Sequence, residues 1–274
     1  MSASKSMATS VTSGCVRGPP AGRLDRHERF GMRRLAVLDL DGTLTPDTLG
    51  ALLVRELLAR GACEAEMGQG FLSALARHRA GCQDFYTTVA EVYQGLGRAV
   101  AGVAVSSVER AAEEVWAHAQ GRMFGFVRPL VRMLEAEGFL VALVSGSPIE
   151  VVQLVANDLG IDVFRGAVMG IRHNRYTGRV LQGPGLMGGK PRILRELEAL
   201  HEVCLAASLA MGNSPSDGEV FGLVGLPVAF EPSDELAGLA ARNGWCVVDR
   251  HDVLRVLLRL LSRSAGGEDS LEPG

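Results

Sequence analysis

Leu35-Ala-Val-Leu-Asp39-Leu-Asp41-Gly42-Thr43-Leu44-Thr45 delivers two carboxylates, one residue apart, into a glycine turn. The apolar run before Asp39 has no helical period and reads as a strand buried on both faces, as a central parallel strand does. The acids then sit at its carboxyl end, the edge of an open α/β sheet where ligands bind. Residues two apart on a strand point to one side, so Asp39 and Asp41 are placed to address one reacting group. Neighbouring carboxylates repel unless a cation lies between them or one holds a proton, so the pair implies chemistry, a metal, or both. A strand that merely ends in an Asp-Gly turn is the plainer alternative, since short Asp-x-Asp-Gly matches arise by chance.

Outward from this strand, Asp47 is placed to cap a helix with Leu49, Leu52, Leu53 and Leu57 on one face. Three more apolar faces follow at helical spacing: Met67/Phe71/Leu72/Leu75, Phe85/Val89/Val92 and Val105/Val108/Ala112/Val115/Trp116. Residues 47–121 therefore read as a strand-free helical insert. The strand pattern returns at 139–144, after a helix over 129–137 that Gly138 ends. Strands and helices then alternate: helix 148–159, a strand near Val163, a hairpin over 168–181 broken by Asn174 and Gly178, and a helix after Pro191. Further on come strand 206–211, helix 217–224, strand 227–230, helix 233–241, strand 245–248 and an amphipathic helix over 251–262. Alternation of this kind predicts an α/β fold with a parallel sheet built by right-handed crossovers.

Composition narrows the function classes. The chain has 274 residues, with 28 basic against 31 acidic side chains and a formal charge of −3, and neither sign gathers into a block. A nucleic-acid or membrane-surface role gains no support from that. Five cysteines, an odd number without a Cys-x-x-Cys pair, argue against a disulfide framework and a zinc site, and a reducing, cytoplasmic setting is expected. No apolar run approaches the roughly twenty residues that cross a bilayer. Residues 1–31, rich in Ser, Gly and Arg, are expected to form a disordered leader, with Met32 an alternative start of translation, and the last dozen residues a disordered tail.

Three other segments sit where chemistry is expected. Val144-Ser145-Gly146-Ser147-Pro148 puts a hydroxyl at a strand end and a glycine turn before a helix, which suits an anion, though it also reads as an ordinary helix start with Pro148 in the first turn. Gly188-Gly189-Lys190-Pro191 sets a lysine immediately before a helix, where the dipole is already positive; an anionic partner explains it, and so does simple solvation. Met211-Gly212-Asn213-Ser214-Pro215-Ser216-Asp217 again follows a strand.

Taken in order, the four segments resemble the four motifs of the haloacid dehalogenase superfamily of phosphatases. Asp39-Leu-Asp41-Gly42-Thr43-Leu44 matches the first, Asp-x-Asp-Gly-Thr-(Leu/Val), at every position. The phosphoserine phosphatase-like branch fits best, because the helical insert lies between the first and second motifs and 174–190 looks like that branch's hairpin before its lysine. The resemblance implies a Rossmann-like doubly wound sheet, with core segments 32–46 and 122–250, a helical cap over 47–121 and a C-terminal helix and tail over 251–274. It further implies Asp39 as nucleophile, Asp41 as general acid and base, and Ser145, Gly146, Lys190 and Thr43 at the phosphate. Magnesium is expected on Asp39, Asp41, Asn213 and Asp217.

The implied partner is a small phosphorylated metabolite, with no nucleic acid and no membrane, and the implied assembly is a monomer or homodimer. Two departures bear on this. Asn213 stands where the fourth motif has an Asp, and an amide oxygen ligates Mg²⁺ without bringing a negative charge. Thr48 stands where phosphoserine phosphatases carry the Glu that recognises the substrate amine, which weakens the case for L-phosphoserine; Arg77, His78, Arg79 and Arg98 on the cap are candidates to read a polar or anionic substrate, with a plain solvated face the commoner role of such arginines. A dehalogenase is disfavoured by Asp41. A phosphomutase or phosphotransferase shares both acids, and a magnesium-poor binding module is the non-enzymatic alternative.

Overall fold

The computed structural model describes residues 32–80 and 84–265, without the side chains of 78, 79 and 263–265. The expected leader, the end of the tail, Cys15 and Cys82 lie outside the described residues. Strand β1 (Arg34–Leu38) is the middle of a seven-stranded sheet, flanked in parallel by β2 (Phe139–Pro148) and β5 (Leu209–Gly212). On one side β3 (Val163–Arg172) follows β2 in parallel and β4 (Arg175–Gln182) closes the edge antiparallel; on the other, β6 (Leu226–Phe230) and β7 (Cys246–Val248) continue in parallel.

The strand alternation of β1 feeds two cores. Ala36 and Leu38 join Leu143 and Met211 beneath α5 (Val127–Ala136), α6 (Ile149–Leu159) and α10 (Val253–Ala265). Leu35 and Val37 join Ala142 and Ala210 over α7 (Gly189–His201), α8 (Pro215–Phe221) and α9 (Asp234–Asn243). Helices thus cover both faces, which is why the central strands read as unbroken apolar runs.

Between β1 and α5 lie α1 (Leu49–Ala59), α2 (Ala65–Arg79), α3 (Phe85–Val100) and α4 (Val105–Ala119). Helices α1 and α4 pack on each other and on α6, while α2 and α3 pair and α3 also meets β4. That last contact runs backbone to backbone: a Cβ on Gly97 would lie 2.3 Å from the Gly178 carbonyl oxygen. Only glycine permits the approach.

Several local expectations differ from the structure. Asp47 does not cap α1; its carboxylate pairs with Arg122 at 2.9 Å, and the first N–H of the helix, on Leu49, is met by Asp41 Oδ1 at 2.8 Å. Residues 205–207 form a 3-10 turn, so β5 begins at Leu209 rather than 206. Lys190 lies inside the first turn of α7, not before it, because Gly188 in a left-handed conformation starts the helix ahead of Pro191. Strand β3 is continuous from Val163, and the chain reverses at His173 and Asn174, both at positive φ, so Gly178 bends a strand rather than breaking the hairpin. Pro148 closes β2 and precedes α6, rather than occupying its first turn.

Candidate active site

Register places the site. Leu38 is level with Leu143 on β2 and Met211 on β5, so the residues just beyond these three emerge together at the carboxyl edge of the sheet. After β1 the chain turns at once: the Leu40 carbonyl accepts from the N–H groups of Thr43, Leu44 and Thr45 at 3.1, 2.8 and 3.3 Å. Gly42 makes this turn possible at φ +80°, and a Cβ there would meet Asn213 Nδ2 at 2.1 Å. The two acids have separate hydrogen-bond partners, although both border one cavity.

Asp39 is buried. Its Oδ1 accepts from Lys190 Nζ at 2.7 Å and its Oδ2 from the Thr43 hydroxyl at 2.9 Å. Lys190, only 4 % exposed, also donates to Asp217 Oδ1 at 2.5 Å. The other Asp217 oxygen accepts from the N–H groups of Asn213 and Ser214 and from the Ser214 hydroxyl, at 3.1, 2.9 and 2.7 Å, which closes a capping box on α8. Asp41 Oδ2 accepts from the hydroxyls of Ser145 and Ser147 at 2.9 and 2.7 Å, in addition to the Leu49 N–H on Oδ1.

Charge balance follows from burial. Desolvation pushes Asp39 up to about 7, the negative charge of Asp217 adds to the rise, and Lys190 opposes it. Asp41 presses on Asp39 less than Asp217 does, so the acid that matters to the first carboxylate comes from the β5 end and not from its sequence neighbour. Desolvation also raises Asp41, against the bonds from Leu49, Ser147 and Ser145. For Lys190, burial works against the ammonium, and Asp217 and Asp39 outweigh it.

Asp39, Asp41, Gly146, Lys190 and Asn213 border one cavity of about 660 Å³. Ser145 and Thr43 are buried behind it, bound to Asp41 and Asp39. Two residues at the site escaped sequence reasoning. Ser147 faces the same carboxylate as Ser145, and its spacing of two along a strand was the available signal. Tyr93 on α3 gave none: its hydroxyl donates to the Gly146 carbonyl at 3.2 Å and accepts from the Gly185 N–H at 2.9 Å. Of the cap residues expected to read substrate, Arg77 pairs with Glu91 at 3.0 Å on the surface and Arg98 is exposed; neither borders the cavity. The side chains of His78 and Arg79 lie outside the described set.

Among the described residues no three His, Cys, Asp or Glu side chains enclose a metal by themselves. The donors at hand are hard oxygens, on Asp39, Asp217 and Asn213, and two buried acids, Asp39 and Asp217, share one ammonium, with the half-buried Asp41 beside them. That deficit of positive charge fits Mg²⁺, which takes one or two carboxylates and completes its shell with water and phosphate.

A family model described as haloacid dehalogenase-like hydrolase matches residues 36–221. The chain belongs to this family. This haloacid dehalogenase-like chain is 30% identical over 198 residues to the phosphoserine phosphatase of Streptomyces coelicolor, covering 72% of itself and 44% of that protein, so it spans less than half of that relative's length. It is 26% identical over 230 residues to the phosphoserine phosphatase SerB1 of Mycobacterium tuberculosis, covering 82% of itself and 73% of the relative. Among solved structures, a protein of unknown function from Bordetella pertussis superposes with a TM-score of 0.68 at 24% identity, covering 80% of this chain and 99% of that one. A phosphoserine phosphatase solved as a phospho-aspartyl intermediate analogue superposes at 0.61 with 20% identity, covering 82% and 99%. These two likenesses establish the α/β fold of the family.

Proposed function

We propose that the protein is a magnesium-dependent phosphomonoester hydrolase that works through an aspartyl-phosphate on Asp39. The observation that carries this reading is the convergence of four distant segments, bearing Asp39 and Asp41, Ser145 and Ser147, Lys190, and Asn213 to Asp217, on one strand edge. The phosphoserine phosphatase relatives support the same reaction class.

In the first displacement a carboxylate oxygen of Asp39 attacks phosphorus, and the bond from phosphorus to the ester oxygen breaks. Asp41 gives its proton to that departing oxygen, a role that suits an acid whose burial favours the neutral form. In the second, water attacks the phosphorus of the phospho-aspartate, Asp41 takes the water's proton, and Asp39 is released; one difficult hydrolysis becomes two easier steps. Lys190 holds Asp39 in place and neutralises the equatorial phosphate oxygens, while the Gly146 turn lines the same end. Ser145 and Ser147 fix the Asp41 carboxyl. Asp39, Asp217, Asn213 and the main-chain carbonyl of Asp41 would hold the magnesium ion, which when bound offsets the charge between nucleophile and phosphate. Helices α2 and α3, which roof the cavity, act as the cap that excludes water.

Asp39→Asn tests the covalent route. Magnesium-dependent phosphate release should fall to background, roughly 10⁴-fold or more as expected for a lost nucleophile, with the far-ultraviolet circular dichroism unchanged. Retained turnover rules the route out.

A further inference from the structure

We infer that this cavity selects phosphomonoesters of uncharged, largely apolar alcohols and rejects those whose alcohol carries a carboxylate or a second phosphate. The inference rests on the phosphatase reading and names its substrate class. The floor of the cavity is polar, but the roof is not: Phe71 and Leu75 of α2 and Phe85, Val89, Val92 and Leu96 of α3 face it. Tyr93, the polar side chain that this roof contributes, has its hydroxyl already engaged on Gly146 and Gly185. Lys190 is the one cation among the described residues that border the cavity, and Asp39 and Asp217 hold it.

A second anion on the substrate therefore finds no counter-charge. It would also face Asp234 and Glu235, both exposed at the rim where α9 begins. A leaving group that buries methylenes or a ring against the roof gains apolar contact in proportion to the area covered. The volume of about 660 Å³ is ample for such a group beside the phosphate.

The test compares kcat/KM for n-hexyl phosphate, L-phosphoserine and 3-phosphoglycerate with the full chain and Mg²⁺. All three are primary alkyl esters, so recognition is not confused with the reactivity of an aryl leaving group. Hexyl phosphate should lead by about thirtyfold or more, the advantage that several buried methylenes give. Val89→Lys and Val92→Lys, at half-buried roof positions, should each lower the ratio of hexyl phosphate to 3-phosphoglycerate by about tenfold or more, as expected for a charge placed in an apolar wall. If either variant fails to melt cooperatively, Val89→Thr replaces it and should lower the ratio about threefold. An equal or higher kcat/KM for L-phosphoserine, or a ratio unmoved in folded roof variants, overturns the inference and leaves the phosphatase reading standing. No magnesium-dependent release from any of the three esters overturns both.

Discussion

Asn213 touches three parts of the site at once. Its side chain lies over the Gly42 turn, its N–H donates to Asp217, and it follows β5 where an acid is expected. Asn213→Asp adds a carboxylate next to a pocket already short of positive charge, so the magnesium concentration for half-maximal phosphate release should fall about three- to tenfold. A titration that shows an unchanged or higher requirement removes Asn213 from the metal site. At this scale much was legible: the identity of Asp39, Asp41, Ser145, Lys190 and Asp217 as a group was written in four short motifs. Their pairing was not. That Lys190 bridges Asp39 and Asp217, and that Ser145 serves Asp41, depends on a turn at 40–45 that redirects side chains after the strand ends, and residue spacing along a strand says nothing about such a turn.

Helix α3 shows the same division at the scale of an element. Its apolar spacing announces a helix, but periodicity cannot say which stripe meets the core. Val100 is buried away from the cavity, whereas Tyr93 and Leu96, though buried, border it together with Phe85, Val89 and Val92. One end is held by the Gly97–Gly178 contact, and further along the Tyr93 hydroxyl ties the helix to the Gly146 and Gly185 backbone. Tyr93→Phe removes a hydroxyl and leaves a buried carbonyl and N–H without that partner, a loss of about 1–3 kcal/mol. Urea unfolding should show that decrease, and KM should rise because the roof is no longer tied to the substrate end of β2. Strand and helix identities were readable from apolar runs and breakers almost throughout; boundaries moved where a single glycine or hydroxyl decided them, as Gly188 did for α7.

The whole molecule registers the charge state of its site as stability. Burial and Asp217 raise Asp39 from 3.8 to about 7, so the folded state binds a proton there more tightly than the unfolded chain does. The resulting contribution is complete below the unfolded value and is lost as pH rises through the folded one. Between about pH 4 and 7 the melting temperature of metal-free wild type should therefore fall relative to Asp39→Asn, and above pH 7 the variant should melt higher; a difference independent of pH contradicts this. Added Mg²⁺ should restore wild type more at pH 8 than at pH 5.5, since protons and cation compete for the same oxygens. The parallel architecture and the site at its carboxyl edge were legible because central strands are apolar throughout. How α2 and α3 sit over the site was not, because that docking rests on glycine contacts and one phenol. Asp41 has a further consequence at this scale. The carboxyl proposed to handle the proton also accepts from the first amide of α1, the helix that follows the site on the way to α2 and α3. A carboxylate accepts an N–H bond more strongly than a neutral carboxyl does, so in the proposed cycle the grip on the head of α1 varies with the charge on Asp41.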